Sequence, residues 1–425
     1  MIDIQIIRDD PDFVKDSMEK VGADPELVDR ARELDRRWRE VLSEAEDLKA
    51  TRNRESKKIG QMEDGDERQA LIERMREIGD KIDRLDEEAD ELREELDGVM
   101  LRLPNIPHED APVGESEEQN VVRRHWGDKP DFDFEPQPHW DLGEELGILD
   151  FERGRKISGS RFYVMQREGS LLQRALINWM LDVHVTEHDY TEVYPPFVVR
   201  SHCLVGTGNL PKFSENLYRD EDAGLWLIPT AEVPLTNLHR DEILEADELP
   251  LHYTAYTACF RREKMHAGQD VRGIKRGHQF DKVELMKYAL PEESDQELKS
   301  LMDDAEEICR RLGLPYRIKE MCTGDLSFVA CRKFDIELWA AGCEEWLEVS
   351  SCSNFRDFQA RRANIRYRPE PGADPELLHT INGSGLALPR LVIAIMENYQ
   401  REDGAIVIPE PLRDYMRGTE VIEPS

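Results

Sequence analysis

The chain has 425 residues, 39% of them hydrophobic, which is enough for two or three domains with a sizeable core and too apolar for a mostly disordered protein. It carries 91 acidic against 57 basic residues, a formal net charge of −34, and so lacks the basic surface expected of a general nucleic-acid binder. No apolar run reaches the roughly 18 residues of a membrane span, and the first ten residues lack the pattern of a secretory leader, so no membrane partner and a cytoplasmic location are expected.

The acids are spread along the whole chain and lysine is scarce relative to arginine, which reads as a halophile's surface. In a salt-saturated cytoplasm the Debye length falls to about 3 Å, and self-repulsion is screened. The seven cysteines are odd in number and form no CxxC pair, so neither a disulfide framework nor zinc is expected.

Asp10-Pro11 reads as an N-cap and first helical residue, opening a short helix to about Lys20. Asp24-Pro25 opens a longer one, with Leu27, Leu34, Val41 and Leu48 seven apart and Ala31, Trp38 and Ala45 between them. After a break at Gly60 and Asp64-Gly65-Asp66, Leu71, Ile78, Leu85, Leu92 and Val99 resume the spacing, with Met75, Ile82, Ala89 and Leu96 between. Two heptad helices joined by a turn predict an antiparallel coiled-coil hairpin, an arm roughly 50 Å long at 1.5 Å per residue. Near its tip Lys49, Arg52, Arg54, Lys57 and Lys58 cluster, with only Glu55 opposing them nearby. In so acidic a chain, such a patch suits phosphate contact.

Leu103-Pro104-Asn105-Ile106-Pro107 ends the hairpin, and residues 110–138 read as a linker or surface wrap. Beyond it, helices are expected at 170–187, 293–312 and 385–400. Strands are expected at 191–199, 225–229, 256–262, 278–287, 315–321, 335–340, 345–350 and 376–382. Short turns between strands favour an α+β domain with an antiparallel sheet and flanking helices. No GxGxxG or GxxxxGK[ST] loop occurs.

Four islands of functional groups stand out. Thr230-Ala231-Glu232 follows a strand and opens a helix. Phe260-Arg261-Arg262-Glu263, with Arg272, Arg276 and His278 through Glu284, reads as two strands joined by a mobile loop. Glu345 to Ser351 reads as a strand ending in hydroxyls, and Asn382 to Arg390 as a strand, a Gly-rich turn and a helix start. Arginines of this kind can grip phosphates and a carboxylate, and glutamates an amine or Mg²⁺, groups that ATP and an amino acid together supply.

In this order the islands resemble the seryl-tRNA synthetases, which are class II aminoacyl-tRNA synthetases. TAEVPL at 230–235, FRxE at 260–263, RGxxRxHQFxKVE at 272–284, EVSSCSNF at 348–355 and NGSGLA at 382–387 carry the resemblance, which spans the whole chain. It implies a class II catalytic domain at 108–425 and a tRNA-binding arm at 1–107, with Lys49, Arg52, Arg54, Lys57 and Lys58 meeting the RNA. It implies serine joined to tRNA(Ser) through a seryl-adenylate, and admits selenocysteine tRNA as an acceptor. Tyr194-Pro195-Pro196 resembles the class II dimer motif and implies a homodimer.

Arg261, Arg390 and Glu284 are the implied catalytic residues. ATP would lie on Arg261, Arg262, Glu263, Arg272, Phe280, Glu348, Val349, Ser350, Ser351 and Arg390, with Mg²⁺ on Glu348 and Ser351. Serine would lie on Thr230, Ala231, Glu232, Glu284, Asn382 and Ser384. Leu388-Pro389 departs from the small pair that usually precedes the last arginine, and Arg262 fills a variable position. The alternatives are a class II ligase loading a carrier protein, which would lack the long arm, and a catalytically inactive RNA-binding relative.

Overall fold

The computed structural model describes residues 1–264 and 272–424. The loop expected between the Arg261 and Phe280 strands therefore lies partly outside the described residues. The chain divides into two compact units, residues 2–104 and residues 105–425 together with Met1.

The first unit is helical. Helices α1 (Ile4–Asp9) and α2 (Pro11–Lys20) precede α3 (Glu26–Ile59) and α4 (Asp66–Met100). Asp10 caps α2 by accepting from the Phe13 N–H at 3.0 Å, and Pro11 sits in the first turn, where no N–H is needed. The heptad residues Ala31, Leu34 and Ala45 of α3, and Ile82, Leu85, Ala89, Leu92, Leu96 and Val99 of α4, are buried. Ion pairs Arg30–Glu95, Arg37–Glu88 and Glu44–Lys81 cross between the helices. Each step is seven residues forward on α3 and seven back on α4, the signature of an antiparallel pair in constant register. The short α1 was not expected from the sequence. It is fastened by Arg8, whose Nε lies 2.9 Å from the buried Asp35 carboxylate of α3.

The second unit is built on an eight-stranded sheet. In chain order its strands are β1 (Val121–Trp126), β2 (Thr191–Glu192), β3 (Leu251–Phe260), β4 (Gln279–Ala289), β5 (Tyr316–Glu320), β6 (Arg332–Ala340), β7 (Glu345–Arg356) and β8 (His379–Ala387). Their spatial order is β1-β5-β6-β7-β8-β4-β3-β2, antiparallel except for the β2–β3 edge pair. Helices α5 (His139–Glu145), α6 (Arg167–Thr186), α7 (Glu232–Thr236), α8 (Ser294–Arg311) and α9 (Leu388–Asn398) complete the framework used below.

The two faces of the sheet do different work. On β4, Val283 and Leu285 are fully buried in the core that includes residues of α6, α8 and α9. Phe280, Lys282 and Glu284, on the opposite side of the same period-2 strand, line a cavity instead.

Three sequence expectations are corrected. Residues 110–138 are not only a wrap, because Val121–Trp126 forms an edge strand paired with β5. Five of its six residues are exposed, so the inward alternation that marks a strand is missing. The strand from Glu345 does not end at its hydroxyls but runs to Arg356. The glycines of Asn382–Ala387 form no turn; they lie within β8. A Cβ on Gly383 would stand 2.5 Å from Leu301 of α8, so this residue is small because a helix packs directly on the strand. For the same reason the last helix begins at Leu388 rather than 385.

Candidate active site

A cavity of about 480 Å³ opens on the polar face of the sheet. Two register shifts shape it. Along a regular strand, Glu348 and Ser351 would point to opposite faces. On β7, however, Ser350 pairs with Ile336 and Glu348 with Glu337, leaving Val349 as an extra residue. This bulge turns Glu348, Ser351 and Ser353 to the same face, and all three line the cavity. A similar shift on β8 skips Gly385 between Ser384 and Leu386. Asn382 and Ser384 face the cavity before it, and Ala387 after it.

Thr230, Lys282 and Glu284 form a closed triangle. The Thr230 hydroxyl donates to Glu284 Oε2 at 2.8 Å, Lys282 Nζ donates to Thr230 Oγ1 at 2.8 Å, and Lys282 forms an ion pair with the same Glu284 oxygen. The other oxygen, Oε1, has the distant amide of Asn382 at 3.5 Å and keeps acceptor capacity toward the cavity. Thr230 also accepts from the Glu232 N–H, the first of α7, at 3.2 Å, so one hydroxyl serves the helix start and lines the cavity.

Glu232 is different from Glu284. Its Oε1 accepts from Gln359 Nε2 at 2.6 Å, and Thr380 holds Gln359 by donating to Gln359 Oε1 at 2.8 Å. Burial, reinforced by the Glu284 carboxylate, pushes Glu232 up to about 7 against the smaller pull of Gln359, Lys282 and Asn382. Among the described residues no lysine or arginine forms an ion pair with it.

The opposite wall is cationic. The Arg261 guanidinium lies 5.0 Å from the centre of the Phe280 ring, with Nε donating to the Pro229 carbonyl at 3.3 Å. Arg390 projects from the first turn of α9, where Pro389 is tolerated, and donates to the Glu348 carbonyl at 2.5 Å. Burial opposes ionisation of Glu348, yet Arg390, Lys333, Arg261 and Arg276 together hold its carboxyl below the ordinary range. The lining carries six cations (Arg261, Lys275, Arg276, Lys282, Lys333 and Arg390) against four carboxylates (Glu232, Glu263, Glu284 and Glu348). In a chain of charge −34 this local reversal marks an anion site.

Beside Glu348, Asp335 of β6 faces Ser351 across the β6–β7 ladder. Burial, with Glu348 adding to it, pushes Asp335 up to about 7 against Lys333. Its buried Oδ1 makes no hydrogen bond, although Lys333 Nζ is 3.5 Å away. A carboxylate, a hydroxyl and an under-satisfied carboxylate oxygen are hard oxygen donors of the kind Mg²⁺ takes.

Thr230, Glu232, Arg261, Glu263, Phe280, Glu284, Glu348, Val349, Ser351, Asn382, Ser384 and Arg390 all line this one cavity, as does Arg276. Four expected residues do not. Ala231 is buried beneath Thr230 in the core. Arg262 is exposed, with its N–H donating to the Asn216 carbonyl. Ser350 turns away at the bulge and donates to the Ser384 carbonyl at 2.7 Å. Arg272 reaches Asp141 at 3.3 Å and lies over Trp140. Sequence reasoning missed Lys275, Lys282 and Lys333. Lys282 had a readable signal, its place midway between Phe280 and Glu284 on one strand face. His278, beside these motifs, is occupied structurally: its Nδ1 is 2.9 Å from the Arg261 carbonyl, and its ring stacks on Phe162.

At the arm tip, Lys49 pairs with Asp86 at 2.6 Å, while Glu55 is shared by Lys58 and Arg54. Asp86 comes from the facing helix, so linear sequence did not show it as an opponent. Most of these side chains are partly to well exposed, Glu55 the least at 20%, and pairs of this kind contribute little.

An antiparallel sheet that gathers arginines and paired carboxylates on one face, with a helix-borne arginine above them, defines a class II aminoacyl-tRNA synthetase core. A family model of that core, the tRNA synthetase class II core domain (G, H, P, S and T), matches residues 212–399. The Seryl-tRNA synthetase N-terminal domain matches residues 1–107. The chain is 59% identical over 422 residues to a serine–tRNA ligase of Thermomicrobium roseum, covering 99% of this chain and 95% of that one. It is 60% identical to one from Roseiflexus sp. (strain RS-1), covering 99% of each. The fold is similar to the crystal structure of seryl-tRNA synthetase from Pyrococcus horikoshii complexed with ATP, with a TM-score of 0.95, 40% identity and 100% of both chains covered. The chain belongs to the seryl-tRNA synthetase family.

Proposed function

We propose that this chain uses ATP to activate L-serine as seryl-adenylate and transfers the seryl group to tRNA(Ser). The observation that carries the reading is the cavity itself: the acceptor oxygen of Glu284 and the arginines Arg261, Arg276 and Arg390 line one and the same space. The attacking carboxylate and the α-phosphate are both anions, so the step needs fixed positive charge between them. Arg261 bridges the two and holds them in line, and Arg390 holds the far phosphates of a bent ATP. Glu263 and Phe280 receive the adenine, the ring taking the place now faced by the Arg261 guanidinium. Glu348 and Ser351, with Asp335 behind them, would hold Mg²⁺ that arrives with ATP and offsets phosphate charge.

In the serine pocket, Glu284 Oε1 accepts the substrate hydroxyl. Alanine offers no donor there and is rejected because a buried acceptor stays unpaired. Glu232, which forms no ion pair among the described residues, takes the serine ammonium. Residues 1–107 form the arm that reads the tRNA, through Lys49, Arg52, Arg54, Lys57 and Lys58. The exposed Tyr194, 81% accessible, supports a homodimer. No described helix is long and apolar enough to cross a membrane. The charge of −34 supports function in concentrated KCl, where repulsion is screened. The reading is tested by charging total tRNA with labelled serine: only serine-accepting tRNA should be charged, and serine activation without any charging would favour a carrier-protein ligase.

The ammonium assignment gives a pH prediction. Serine binding requires ionised Glu232, whose carboxyl titrates near 7 in the free site. kcat/KM for serine should therefore fall as pH drops below about 7 and level off above it. The same shift has the opposite sign for stability. An unfolded carboxyl near 4.5 ionises first, so Glu232 costs stability as pH rises from 4.5 to about 7. Glu232→Gln should flatten the serine limb and raise KM for serine roughly tenfold to a hundredfold, the worth of one charge-assisted hydrogen bond. An unchanged limb in that variant would remove Glu232 from the role. For the metal, Glu348→Gln should raise the Mg²⁺ needed for half-maximal activity about tenfold, read from a Mg²⁺ titration of adenylate formation.

A further inference from the structure

Behind the phosphate wall lies a buried polar knot that the adenylation chemistry does not use. His139, at the start of α5, is 1% exposed and Glu397, near the end of α9, is fully buried. Glu397 Oε1 is 2.7 Å from His139 Nδ1 and accepts from the His139 N–H at 2.9 Å, and Cys343 Sγ donates to the same oxygen at 3.2 Å. Oε2 accepts from the N–H groups of Gly342 at 2.9 Å and Cys343 at 3.0 Å. On the far side of the ring, His139 Nε2 accepts from the Ile274 N–H at 3.2 Å. That bond requires Nε2 to be unprotonated, so Nδ1 carries the proton and donates it to Glu397.

His139, Cys343 and Glu397 place three potential metal-ligand atoms within 4.8 Å of one another. The hydrogen bonds decide against an ion. A metal on Nδ1 would force the proton onto Nε2, where it would face the Ile274 N–H, donor against donor. Every donor and acceptor is satisfied without a metal, which is the pattern of a structural clamp.

We propose that His139 is a positioning residue for adenylation: its imidazole, oriented by Glu397, anchors the Ile274 amide and so fixes Lys275 and Arg276 in the cavity wall. The inference rests on the adenylation reading above. Three observations converge on this short segment. A Cβ on Gly273 would stand 2.1 Å from His139 Nε2, and Gly273 has φ +76°, so the backbone lies flat against the ring in a conformation suited to glycine. Arg272 is held by Asp141 and Trp140 of the same helix turn. Lys275 and Arg276, the next residues, line the cavity. Glu397 sits two helical turns after Arg390 on α9, so the helix that braces the loop cations also carries Arg390.

The test is a pair of substitutions that split the imidazole's two jobs. His139→Asn places an amide where Nδ1 stood, keeping a donor to Glu397 and removing the acceptor for Ile274. His139→Gln places its amide oxygen near Nε2, keeping that acceptor and removing the Glu397 donor. In ATP–pyrophosphate exchange, His139→Asn should raise KM for ATP about tenfold with KM for serine within twofold of wild type. His139→Gln should recover most of the ATP affinity even where its melting temperature is lower. Equal ATP constants in the two variants, or serine and ATP constants rising together, would overturn the proposal. Wild-type amide hydrogen exchange covers the case in which His139→Asn does not fold. The Ile274 amide should be protected, and exchange at an unprotected rate would overturn the anchor. Absence of exchange activity in the wild type would instead count against the adenylation reading itself.

Discussion

Replacing Arg261 with alanine should lower serine-dependent ATP–pyrophosphate exchange by about 10³-fold or more, the scale seen when one preorganised charge-stabilising donor is removed. The reason is geometric. Arg261 leaves the end of β3 and crosses to the Phe280 ring of β4, at the centre of a cationic lining. No other cation in that lining comes from the strand end between the serine pocket and the phosphate wall. Arg261→Lys should restore part of the rate, since the charge returns but the planar fork that can hold a carboxylate and a phosphate together does not. Neither variant should move the melting temperature by more than a few degrees, because among the described residues the side chain makes one hydrogen bond, to the Pro229 carbonyl. Wild-type exchange in Arg261→Ala would take the bridging role away from it.

Removing the outer part of the helical arm should do the reverse, sparing exchange and abolishing tRNA charging. The ion pairs at 30/95, 37/88 and 44/81 put residues 40 and 85 opposite each other, so the two helices can be rejoined there by a short glycine turn without changing register. The remaining hairpin keeps most of its buried layers, among them Ala31 and Leu34 of α3 and Leu92 and Leu96 of α4. Exchange should stay within about twofold of wild type, while charging falls below about a thousandth, because a long RNA stem is recognised through shape and backbone contacts spread along the arm. Charging that survives the deletion would mean that the arm is not the reader. Charge-neutral substitutions of Arg52 and Lys57 alone should give a smaller loss, with a shallower dependence of charging on salt.

Legibility in the sequence followed periodicity. The arm could be read almost residue by residue, because a seven-residue repeat in two blocks leaves little freedom, and Leu85, Leu92 and Leu96 are buried as the repeat demands. The central strands were visible for the same reason. Val121–Trp126 was not, because an exposed edge strand carries no alternation, and Ile4–Asp9 is too short to show a period. Within the site, the motifs pointed to the residues that meet in the cavity, but not to how they meet. Two β-bulges decide which side chains turn inward, and no local pattern announces a bulge. This is why Glu348 and Ser351, an odd number of residues apart, end on the same face. The supporting residues were hidden for another reason. Gln359, Thr380 and Glu397 act through side-chain partners more than twenty residues away, as does Asp86 beside Lys49, while Lys333 meets Glu348 from the neighbouring strand.

ATP–pyrophosphate exchange, measured with each standard amino acid in turn in high KCl, tests the central claim most directly. Serine alone should support rapid exchange, with alanine and threonine slower by at least about a hundredfold, and Glu284→Ala should remove the preference for serine over alanine. Exchange driven equally by alanine, or no exchange with serine at all, would contradict the account.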